Sequence, residues 1–160
     1  MFEKFGEFDS AEEINRAAAA QLAQGDTEAV FAIAEENGID REDAEDFIDG
    51  IVEEMCNSLI AAMGKLKIEA KALELFGELE FYRTMIEQEC NEDSEFASAV
   101  RKKGKSLVNC MGKLLKAASN NRKKVPEPIA KAAGLPTEIY TGALTKTEAV
   151  EVIRNYYMKG

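Results

Sequence analysis

The stretch from Ser94 to Ala118, SEFASAVRKKGKSLVNCMGKLLKAA, decides how the chain is read. At ~100° per residue, Phe96, Val100, Leu107, Val108, Met111, Leu114, Leu115 and Ala118 fall within an arc of about 120°. Gly104 lies in that arc, while Arg101, Lys102, Lys105, Lys113 and Lys116 lie on the other side. Because the phase holds across Gly104, the spacing predicts one continuous amphipathic helix, although Gly104 and Gly112 both weaken it.

Toward the N-terminus the helix signals continue. Ser10 with Glu13 makes a capping box, Ile14, Ala18 and Leu22 follow at helical spacing, and Gly25 marks the stop. Asp26 opens a short second helix with Val30, Ile33 and Ala34 on its buried side, closed by Asn37-Gly38. Asp40 then caps a long third helix that is expected to run to near Gly64. Its apolar stripe is Ala44, Phe47, Ile48, Ile51, Val52, Met55 and Leu59, roughly 140° wide. Glu42, Glu45, Asp46, Asp49 and Glu53 occupy the opposite side. A fourth helical region runs from about Ile68 to Cys90, with Gly77 as a break.

Beyond Asn120-Asn121, Pro126, Pro128, Gly134, Pro136 and Gly142 make the chain loop-like, with room for a short helix at about Pro128 to Ala133. Thr145 with Glu148 forms a second capping box and starts a terminal helix. No stretch shows a period of two; Thr137–Thr141 extends only briefly and is not expected to form a sheet. The expected fold class is all-α, a bundle of about six to eight helices, two of them long and amphipathic. Its 160 residues suit a single helical domain with an acidic part, 1–95, and a basic helix and C-terminal part, 96–160.

A hydrophobic share of 46% and a charged share of 31% belong to a globular chain rather than a disordered one. The formal charge of −10 argues against a chain-wide polycation, but it averages two opposite halves. Residues 1–100 hold 26 acids against 7 bases, net −19; residues 101–160 hold 13 bases against 4 acids, net +9.

The absence of His removes Ser-His-Asp and Cys-His catalysis and imidazole-bound zinc. Cys56, Cys90 and Cys110 are widely spaced, so neither a zinc knuckle nor a thioredoxin-type site is on offer, and they read as buried, reduced thiols. No cofactor or metal is called for, and carboxylates stand in no apolar context that marks a catalytic one. The expectation is a protein that is not an enzyme. No apolar run approaches ~18 residues and the N-terminus lacks the basic-then-apolar order of a signal peptide, so no membrane association and a cytoplasmic location are expected.

Two charge patches remain. Asp40, Glu42, Asp43, Glu45, Asp46 and Asp49 do not form a calcium loop, because Ala44 and Phe47 fall in ligand slots. A solvated helix face is the plain reading; imitation of nucleic acid is the sharper one. A single stripe places a carboxylate about every 5.4 Å, against one charge per about 1.7 Å of duplex axis, so several acidic helices would be needed. The second patch, residues 101–124, holds nine bases and no acid, which suits either phosphate binding or simple solvation beside the acidic helices. It contains no aromatic residue to stack on bases. A helix-turn-helix around Ala130, Gly134 and Leu135 is spoiled by Pro136 and a poor recognition helix after it.

Four strings carry a family resemblance: MFEKFGEFDSAEEIN at 1–15, ENGIDREDAEDFIDG at 36–50, AVRKKGKSL at 99–107 and VIRNYY at 152–157. They resemble the PcfK-like family of bacterial mobile elements, which includes anti-CRISPR proteins that inhibit the type II RNA-guided DNA nuclease. The likeness runs in order over most of the chain, strongest in 1–55 and 95–116 and loosest from Ala117 to Thr145. It implies a stoichiometric, non-enzymatic inhibitor whose partner is the type II CRISPR nuclease, alone or with its guide RNA. Two routes follow. The acidic face of Glu42, Glu45, Asp46, Asp49 and Glu53 enters the nuclease's positively charged nucleic-acid site, or the basic face of Arg101, Lys102, Lys105, Lys113 and Lys116 grips nucleic acid. PcfK-like proteins also belong to plasmid-transfer modules, which leaves a DNA-binding accessory protein using 101–124 as the alternative.

Overall fold

Side-chain caps place most of the helix starts. In the computed structural model, which describes residues 2–159, Ser10 Oγ accepts from the Glu13 amide at 3.2 Å and Glu13 Oε2 accepts from the Asp9 amide at 2.7 Å. The Ser10 cap is thus present, while Glu13 reaches one residue past the N-cap instead of closing the box on Ser10, and α1 (Ala11–Ala23) follows. Asp26 Oδ1 accepts from Ala29 N and opens α2 (Thr27–Glu36). The chain is all-α, with nine helices among the described residues. It divides into two compact units, one through Val108 and one from Asn109.

The expected long helix from Asp40 to Gly64 is two helices. The first, α3 (Arg41–Ile48), ends where Gly50 takes φ +73° and Ile51 N turns back to Asp46 O at 2.9 Å. That is a glycine C-terminal motif, available to any helix that meets a glycine with a suitable residue after it. Residues 49–57 then run without helix until Asn57 Oδ1 accepts from Ile60 N at 2.9 Å and starts α4 (Ser58–Leu73). Asn15 of α1 holds the end of this segment, donating to Cys56 O at 2.8 Å and accepting from Cys56 N at 3.0 Å. Met55 is buried as its place in the stripe implies, but Ile51 and Val52 are exposed.

The break expected at Gly77 is present: Glu74 and Gly77 both have positive φ, and α5 (Gly77–Glu92) follows. Asp93 Oδ1 caps α6 (Ser94–Arg101) through the Glu95 and Phe96 amides. Ile14, Ile33, Ala44 and Met55 build one core among α1, α2 and α3. Helices α4, α5 and α6 pack on one another, with Leu66, Ile86 and Phe96 fully buried. The α2–α4 approach is made by two glycines. A Cβ on Gly64 would lie 2.2 Å from Asn37 O, and one on Gly38, at φ +68°, would lie 2.3 Å from Gly64 O.

The continuous helix expected over Ser94–Ala118 is also two. It stops at Arg101, residues 102–106 form a loop with Gly104 at φ +79°, and α7 (Leu107–Asn120) starts afresh. Tertiary partners hold that loop. Lys65 Nζ donates to Lys102 O at 2.8 Å, Lys103 N donates to Asp9 Oδ1 at 2.9 Å, and Leu107 N donates to Glu69 Oε2 at 3.0 Å. The last of these supplies an N-terminal cap from another helix, so α7 needs no continuity with α6.

In the second unit, α7 buries Cys110, Met111, Leu114 and Ala118. Lys123–Lys124 (β1) pairs antiparallel with Tyr140–Thr141 (β2), a two-residue ladder where no sheet was expected. Between them lies α8 (Glu127–Ala132), and the full Thr145–Glu148 capping box opens α9 (Lys146–Met158).

Candidate partner-binding surfaces

The first unit carries 26 acids against 11 bases, and its densest acidic surface is α3 with the segment after it. Glu42 and Glu45 are exposed on α3, Asp46 is half-buried, Asp49 follows the helix end, and Glu53 projects from the 49–57 segment. The five residues expected on one helix face thus lie on a helix and a loop. Glu45 pairs with Arg41 at 2.9 Å; Glu42, Asp46, Asp49 and Glu53 have no ion pair among the described residues. Arg41 also lies 4.0 Å over the Phe31 ring, so the one base on this helix is held on its own unit.

Two clefts run along α3 and α4. One, of about 180 Å3, has Val52, Met55 and Ile60 below Asp43, Asp46 and Glu54. The other, of about 380 Å3, has Leu59, Ile60 and Met63 as its apolar lining, with Asp40, Asp43 and Glu87 at its edge. Asp43 and Ile60 line both, so the two clefts adjoin at these residues. Lys67, the base on this rim, is paired with Asp40 at 3.0 Å, and Glu87 is paired with Arg83. The sequence pattern marks neither Glu54 nor Met63, and it places Val52 on a buried stripe. The apolar stripe that holds Val52 keeps its phase through Gly50, and no local signal marks Met63 as a groove residue.

The basic face is not one face. Arg101 is fully buried in the first unit, where Nη2 donates to Asn37 Oδ1 at 2.7 Å. Its assignment to the exposed basic side came from continuing the helix; α6 ends there, and its side chain turns inward. Burial lowers the Arg101 pKa, opposed by the charge of Glu7, with Glu69 and Asp9 adding to that opposition. Lys102 and Lys105 sit on the 102–106 loop of the same unit. Lys113 and Lys116 are exposed on α7 in the second unit, which carries 9 bases against 4 acids. Arg122 lies 5.8 Å from the Tyr140 ring, and Lys124 pairs with Glu138.

All three cysteines are buried and outside any disulfide, and burial pushes both Cys56 and Cys90 up to about 12. Burial also raises the pKa of Glu69, opposed by Lys65 and by the Leu107 amide. Glu69 is thereby tied to the loop it caps. No group of three Cys, Asp or Glu that could hold a metal occurs among the described residues, and none of their helices is long and apolar enough to cross a membrane.

No family model, curated protein or solved structure matches this chain.

Proposed function

We propose that this chain is a non-enzymatic inhibitor that binds the type II CRISPR nuclease, covering a nucleic-acid-binding surface with the acidic surface of its first unit. The observation that carries this is the set of carboxylates on α3 and the 49–57 segment that have no ion pair among the described residues. Charges left unneutralised within their own unit are available to Arg and Lys of a partner. A nuclease channel that holds nucleic acid is lined by such bases. Long-range attraction speeds encounter, and a surface of net-negative charge repels free nucleic acid. The resemblance to the PcfK-like family supports the choice of partner.

The test is co-purification with a type II nuclease, with and without guide RNA, and inhibition of cleavage. Reversing Glu42, Asp46, Asp49 and Glu53 to Lys, with the fold checked by circular dichroism, is expected to abolish inhibition. Unchanged inhibition would sink the acidic route.

A second reading has its own observation: Lys113, Lys116, Arg122 and Lys123 are exposed in a segment without acids. That pattern supports a DNA-binding accessory protein of a plasmid-transfer module. A gel shift with duplex and single-stranded DNA at two salt concentrations separates the readings. A DNA binder shifts the probe and loses affinity steeply with salt; the inhibitor leaves the probe free.

A further inference from the structure

The proposed inhibitor needs only charge to imitate nucleic acid, yet its acidic surface encloses an apolar groove. We propose that this groove seats a basic amphipathic helix of the protein partner, an inference that rests on the acidic-surface reading above. By the groove we mean the two adjoining clefts taken together: Val52 and Ile60 line the smaller, Leu59, Ile60 and Met63 line the larger, and Asp43 and Ile60 border both. Asp43, Asp46 and Glu54 stand along its edge with no ion pair among the described residues. A helix with one apolar stripe and flanking Lys or Arg satisfies both parts at once. Its apolar residues leave water against the floor while the long basic side chains lie along the walls and carry their charges to the carboxylates. Met63 adds an unbranched thioether that adapts to the shape of the incoming side chains.

Phosphate is the wrong occupant, because three uncommitted carboxylates repel it. A second copy of this chain is the nearest rival, since α7 exposes Val108 and Leu115 together with Lys113 and Lys116. Two copies each of net charge −10 repel at long range, whereas a basic partner is drawn in, and charge therefore selects the foreign helix.

The experiment uses the full chain and fluorescence anisotropy with a labelled synthetic lysine–leucine helix. Its control is a peptide of the same composition whose leucines are spread around the helix. The amphipathic peptide is expected to bind about tenfold or more tightly than the control, a difference that one well-buried apolar side chain supplies. Val52→Asp is the deciding variant: it adds a negative charge to an exposed position while removing part of the floor. Charge attraction alone predicts equal or tighter binding, and the groove predicts about tenfold weaker binding. Met63→Gln, with the fold checked by circular dichroism, is the second variant and is expected to weaken binding in the same direction.

Equal binding of the two peptides, or binding by both variants as tight as wild type, overturns the proposal. So does self-association in sedimentation that Val52→Asp abolishes, which would put a second copy in the groove. Nuclease binding that survives Val52→Asp but not charge reversal overturns the groove alone. A wild-type chain that binds no nuclease overturns the proposed function and leaves the peptide result to be judged by itself.

Discussion

Arg101 Nη2 donates to Asn37 Oδ1 at 2.7 Å, joining the end of α6 to the C-cap of α2. Both side chains are fully buried, and Asn37 Nδ2 in turn donates to Ile33 O at 2.7 Å. The residue that looks most like part of a basic binding face is therefore a strut of the first unit. Arg101→Ala removes a charge-assisted hydrogen bond and leaves a cavity, and is expected to lower stability by about 3 kcal/mol in urea unfolding. Adding Asn37→Ala should cost less than the sum of the single changes, with a coupling of about 1–2 kcal/mol. Additive effects would show that the pair does not act together.

Gly64 and Gly38 meet backbone to backbone, and neither carbonyl can swing away as a side chain could. Gly64→Ala is expected to destabilise by about 2 kcal/mol or more despite the better helix propensity of Ala. Thermal unfolding followed by circular dichroism measures it; a rise in midpoint would mean that the two helices are free to separate.

Asn15 holds Cys56 by two hydrogen bonds from α1 and thereby anchors the segment that carries Val52, Glu53 and Glu54. Asn15→Ala should lower stability by about 2 kcal/mol, on roughly 1 kcal/mol per bond. Hydrogen exchange at the Cys56 amide should accelerate in the variant more than exchange at amides inside α5, which shares neither bond.

The neutral thiols of Cys56 and Cys90 give a pH dependence with a defined sign. Their ordinary pKa of 9.0 is raised to about 12 by burial, so the folded state holds these protons more tightly than the unfolded state. The stability this contributes is complete below pH 9.0 and falls as pH rises from there toward about 12. Unfolding midpoints should decline over that range, and less so in Cys56→Ala. At pH 8 a disulfide exchange reagent should leave the native protein almost unmodified and titrate all three thiols in urea.

Much of the secondary structure is legible locally. The Ser10, Asp26 and Thr145 caps, the Asn37-Gly38 stop and the break near Gly77 each depend on residues within a few positions of one another, and the structure has them all. The two long helices were misread for a common reason. Apolar spacing kept its phase across Gly50 and across Gly104, so the pattern gave no sign of interruption. Gly50 and Gly104 make the turns locally, and what holds the chain in its new course lies far away in sequence: Asn15 on Cys56, and Lys65, Asp9 and Glu69 on the 102–107 segment.

By itself, the sequence determined an all-α chain, the polarity of its charge, the lack of imidazole chemistry and the acids of α3. Each of these follows from residue type or from spacing within one or two turns of helix. Only the tertiary structure decided that Arg101 is buried while Lys113 and Lys116 are exposed, and that Val52 and Met63 border a groove edged by Asp43 and Glu54. The physical reason is that a glycine permits a helix to end, and partners from other segments decide where the chain goes after it. Where it ends sets which way every later side chain faces.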